Sequence, residues 1–128
     1  MDASTFSRSV DVQYEDGSGL VTVAFKGPVS RADFDAGQEK LRLATEGRTV
    51  NAIILDARHS VPAYSPGELA DSVERTLDEI APKRCAFVST QARAESLTVI
   101  EMVSFPFAVR VQAFADMDAA RAWVSAAL

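Results

Sequence analysis

Apolar positions recur along the chain with two different periods, and turn residues separate the stretches. Val10, Val12 and Tyr14 alternate with polar residues, the pattern of a half-buried strand. The turn cluster Glu15-Asp16-Gly17-Ser18-Gly19 follows, then the β-branched run Leu20 to Phe25, so the two stretches read as a hairpin closed by Lys26-Gly27-Pro28. Ser30 is placed to cap a helix, with Asp33 adding negative charge to its first turn. Phe34, Leu41 and Ala44 fall near one face of that helix, and Gly47 closes it. Val50 to Leu55 is uninterrupted and apolar and ends in Asp56, as a strand buried on both faces would.

Ala57 to Tyr64 reads as a loop. Ser65-Pro66-Gly67-Glu68 is the strongest local signal: Ser at the N-cap, Pro at the first helical position and Glu at the third form a capping box. Leu69, Val73, Leu77 and Ile80 then make a core stripe, and Pro82 ends the helix. Cys85 to Val88 predicts a short buried strand. Arg93 to Ser104 has helical spacing in Leu97, Ile100 and Val103, with Val99 and Met102 widening the apolar arc, and Pro106 breaks it. Val109, Val111 and Ala113 alternate as a last strand. Asp116 caps a final helix whose Ala120, Trp123, Val124 and Ala127 share a face. The resulting order, β-β-α-β-α-β-α-β-α, predicts an α/β fold with a mostly parallel five-stranded sheet, about four helices and an antiparallel first strand. Residues 1–8 are expected to be a flexible N-terminus and 9–128 a single domain.

Composition narrows the function classes. The chain has 128 residues, 48% of them apolar and 24% charged, which suits one globular domain with its own core. It has one Cys and one His, too few for a disulfide scaffold or a Cys/His zinc site, so no cofactor and no metal are expected. The net charge of −5 argues against nucleic acid as a partner. Asp2 stands where a signal peptide would be basic, no apolar segment follows, and no run approaches the length of a membrane span. The expected compartment is the cytoplasm, with no integral membrane segment.

In an open α/β sheet, ligands bind beyond the carboxyl ends of the strands. The richest of these ends is Asp56, Arg58, His59 and Ser60, joined by Tyr64 and Ser65 as a candidate ligand or partner loop. An acid/base or anion site could be built there, but solvated loop residues are the plainer reading, because no second catalytic group is evident. A hydrolase triad lacks its G-x-S-x-G elbow, and the glycines form no phosphate-binding loop. Cys85, inside a central strand, reads as an inert buried thiol. Leu97, Ile100, Met102, Phe105 and Phe107 carry more apolar surface than one short helix usually buries. Core packing is the plainer explanation, and a dimer surface or the wall of an apolar pocket are the alternatives.

Three stretches carry a family likeness: Ile53-Ile54-Leu55-Asp56 ending a strand, Tyr64-Ser65-Pro66-Gly67-Glu68 opening the next helix, and Val111 to Asp116 leading to Ala119-Ala120-Arg121-Ala122-Trp123-Val124. With the element order they resemble the SpoIIAA-like family of the STAS group (sulfate transporter and anti-sigma factor antagonist domains). The resemblance implies a non-enzymatic module that acts by docking protein partners, self-association as a homodimer included. It also implies a phosphoacceptor Ser at the start of the second helix, but Pro66 occupies that position here, which argues against a phosphorylation switch. Relatives of this fold resemble lipid-exchange CRAL-TRIO domains, so a carrier of an apolar or lipid-like small molecule is one alternative. A small enzyme using Asp56, Arg58 and His59 is the other.

Overall fold

A computed structural model describes residues 9–90 and 93–126. Five strands form one sheet in sequential order: β1 (Val10–Glu15), β2 (Leu20–Val29), β3 (Ala52–Pro62), β4 (Arg84–Val88) and β5 (Arg110–Phe114). β1 runs antiparallel to β2, and the remaining neighbours are parallel. The helices are α1 (Arg31–Thr45), α2 (Pro66–Glu79), α3 (Ala94–Ser104) and α4 (Met117–Ser125), with a 3₁₀ turn at Phe105–Phe107. None of the described helices is long and apolar enough to cross a membrane.

The hairpin turn is locked by a close approach. Gly19 has φ +72°, and a Cβ there would lie 2.5 Å from the Asn51 side chain. Asn51 donates through its backbone N–H to Gly19 O and through its side-chain amide to Ser18 O, at 2.7 and 3.0 Å. These bonds fix the start of β3 against the hairpin.

The helix starts follow from their caps. Ser65 Oγ accepts the Glu68 N–H at 3.1 Å, and Glu68 Oε1 accepts the Ser65 N–H at 2.8 Å. At α1, the Ser30 N–H and hydroxyl both donate to Asp33 Oδ2. Asp116 Oδ1 accepts the Ala119 N–H at the start of α4. Each pair satisfies amides that the first helical turn leaves open.

Alternation along the strands sends side chains to two cores. Val21, Val23, Ile53, Cys85 and Phe87 face one side, with Phe34 and Leu41 of α1, Leu69, Val73 and Leu77 of α2, and Ile100 of α3. Leu20, Ala52, Ile54, Ala86 and Val88 face the other, under Ala120 and Val124 of α4. Trp123 is half-buried against this second core, beside Phe114 and with the Arg84 guanidinium 4.9 Å over its ring. Ala127, expected on the same helix face, lies outside the described residues, as do residues 1–8. On α1 the buried positions are Phe34, Gly37, Leu41 and Thr45, while Ala44 is half-buried. The face is turned slightly because Gly37 packs directly on Val10.

Two strands run longer than their apolar patterns suggest. β2 continues through Lys26-Gly27-Pro28 to Val29, and β3 continues from Asp56 to Pro62, where a loop is expected from composition. The register passes from Ala24↔Asp56 to Lys26↔His59, so Phe25 alone opposes Ala57 and Arg58 in a bulge. Pairing then resumes to Val29↔Pro62. Pro28 is tolerated because it lies past the end of β1, where β2 has a free side and needs no ladder donor.

Candidate functional site

The polar stretch Asp56–Ser60 therefore sits on a strand and not on a loop. Asp56 is the last β3 residue paired with β4, so the residues after it stand beyond the end of that strand. Asp56 is buried, and its carboxylate is held by one residue. Arg58 Nε reaches Oδ1 and Nη2 reaches Oδ2, each at 2.9 Å, and the Arg58 N–H adds a bond of 3.1 Å. Burial alone would push the Asp56 carboxyl up. The hydrogen bonds and charge of Arg58, with a smaller contribution from His59, outweigh it and hold the group below its ordinary value. The ion pair is internally satisfied, which leaves it little capacity to act as a base. His59 points to solvent, apart from the pair.

Ser60 belongs to a different cluster. Its hydroxyl donates to Ala57 O at 3.1 Å, and Arg93, the N-cap residue of α3, donates to both Ser60 Oγ and Ser60 O. Nearby in the chain, Tyr64 OH is 2.9 Å from Ser96 Oγ, and the Tyr64 ring packs 5.0 Å from Phe34. The extended β2–β3 ribbon is thus tied to α3 by Arg93–Ser60 and Tyr64–Ser96. Arg93 and Ser96 were not among the sequence-derived candidates. Their partners are 33 and 32 residues away, and no local spacing links them. Ser65 is occupied by its capping role.

The apolar set at 97–107 divides. Ile100 is 2% exposed and belongs to the core, and Leu97 is half-buried against it. Met102, Phe105 and Phe107 are 70%, 83% and 37% exposed, so the expected core packing does not hold for these three. Helical spacing separates them: positions 100 and 104 turn inward, which turns 102 and 105 outward. Next to this ledge, β5 is the last strand of the sheet, and among the described residues nothing pairs with its outer side.

Between the sheet and α1 to α3 lies a cavity of about 80 Å³. Its walls include Val23, Leu55, Phe87, Val73 and Ile100, and it also touches Cys85 and Ser104. Burial pushes the Cys85 thiol up to about 12, so the sulfur stays protonated and unreactive. Gln91 and Ala92, in the segment between β4 and α3, lie outside the described residues.

No family model and no curated protein matches the chain. Among solved structures, it is similar to an uncharacterized DUF3478-family protein with a SpoIIAA-like fold from Shewanella loihica PV-4. The TM-score is 0.63 at 16% identity, with 90% of this chain and 91% of that chain covered. The mixed five-stranded sheet, its antiparallel first strand and the four helices agree with that likeness. The chain has a SpoIIAA-like fold.

Proposed function

We propose that this protein is a non-enzymatic, STAS-like binding or regulatory module of the cytoplasm that works through protein contact, self-association first. The observation that carries the reading is the apolar ledge of Met102, Phe105 and Phe107 beside the open edge of β5. Met102 and Phe105 are three apart, hence neighbours on a helical surface. Two large apolar side chains left in water next to unpaired strand amides make a surface that gains by being covered. The self-neutralised Asp56–Arg58 pair supports a binding role over catalysis at that stretch. Pro66 at the position of the family's phosphoacceptor, and Ser65 committed to its cap, favour contact that is not gated by phosphorylation there.

Sedimentation velocity over a range of protein concentrations tests the reading, comparing the wild type with a Met102→Ser/Phe105→Ser variant. The wild type should associate into a dimer. The variant should sediment as a monomer with an unchanged thermal midpoint, because neither side chain contributes to the core. A wild type that stays monomeric at every concentration, or a variant that dimerises equally well, contradicts the proposal.

A further inference from the structure

The ledge leaves the cavity between the sheet and the helices unexplained. Its walls are almost wholly apolar, yet Ser104 lines it with a hydroxyl that has no hydrogen-bond partner among the described residues, in a side chain only 1% exposed. A buried, unmatched hydroxyl costs about 1–3 kcal/mol. Ser72, also on the lining, is only half-buried, and three other polar groups there are already matched. Ser60 is engaged with Ala57 and Arg93, Tyr64 with Ser96, and Thr76 with Gln38.

From this geometry we infer that the cavity is a binding site for a short, neutral alkyl compound carrying one hydroxyl or carbonyl group. The size sets the length. An engineered cavity of roughly 150 Å³ lined by Leu, Ile and Phe holds benzene. The present volume of about 80 Å³ is close to half of that and suits roughly three carbons. The chemistry sets the polarity. The alkyl part replaces empty space against Val23, Val73 and Ile100, and the one polar group satisfies Ser104 Oγ. A charged ligand is disfavoured, because the almost wholly apolar walls would not replace its lost hydration.

The test is an amide NMR titration of the intact protein with 1-propanol, and with propane under gas pressure as the same three-carbon chain without the hydroxyl. Both should shift the amides of Phe87, Ile100 and Ser104 in a saturable way, with 1-propanol the tighter ligand by about fivefold, the worth of one buried hydrogen bond. Ser104→Ala removes an unmatched group and so should fold at least as stably. It should keep propane binding and lose the preference for 1-propanol. Val73→Leu should fill the space and weaken both ligands. Wild-type shifts that never saturate or spread over the whole surface overturn the site. An unchanged 1-propanol affinity in Ser104→Ala overturns the assigned polar contact.

Discussion

Arg58 spends both faces of its guanidinium fork on Asp56, two residues upstream on the same strand, at 2.9 Å for each contact. The carboxylate is buried while the arginine side chain keeps 31% exposure, so the two partners are not equivalent. Removing the arginine leaves a buried charge unpaired, which is the costly direction. Arg58→Met should cost on the order of 2 kcal/mol at neutral pH, partial exposure reducing the full buried-pair penalty. The pH dependence has a defined sign. In the wild type the Asp56 carboxyl lies below its ordinary 3.8, so its contribution is present above that value and is lost as pH falls through the lower folded value. In Arg58→Met burial is no longer offset by the arginine, and the carboxyl rises. The stability gap between the two proteins should therefore shrink on acidification. Urea unfolding at neutral and acidic pH measures it, and a gap independent of pH would show that the pair contributes little.

Cys85 gives the opposite end of the pH scale. Its folded value of about 12 lies above the ordinary 9.0, so the folded state holds its proton longer than the unfolded chain does. Its contribution is complete below about 9 and is lost as pH rises toward about 12, at up to ~1.4 kcal/mol per pH unit. Cys85→Val keeps an apolar side chain of similar size and should flatten this decline in alkaline denaturation curves. A thiol reagent should also react only as fast as the protein unfolds, which stopped-flow absorbance can follow.

Ala108 closes the 3₁₀ turn in the left-handed region, at φ 58° and ψ 30°. It is exposed and is the non-glycine residue with positive φ among those described. A Cβ in that conformation costs about 1–2 kcal/mol, while glycine adopts it freely at some expense in unfolded-state entropy. Ala108→Gly should raise stability by about 0.5–1 kcal/mol, read from the denaturation midpoint. A lower midpoint would mean that the turn is not strained.

Local signals were legible wherever one segment settles its own structure. Ser65 and Glu68 announce their helix because the capping bonds span three residues, and Leu69, Val73 and Leu77 announce its buried face by spacing alone. The extension of β3 past Asp56 was not legible, because its polar residues are held by pairing with Lys26–Val29, on a strand more than thirty positions earlier in the chain. For the same reason Arg93 was missed: its contact with Ser60 exists only once α3 is laid against the ribbon. The exposure of Phe105 could not be read from composition, since an apolar side chain at a helix end looks the same in a core and on a surface. The cavity is a property of how far α2 and α3 stand from the sheet, and no sequence pattern encodes that distance.

The contact surface is tested most directly by amide hydrogen exchange at low and high protein concentration. If the ledge and the free edge of β5 are covered by a second copy, protection should rise with concentration from Met102 to Phe114 and be lost in Met102→Ser/Phe105→Ser. Exchange that ignores concentration in that segment, or added protection along β1 instead, would contradict the account.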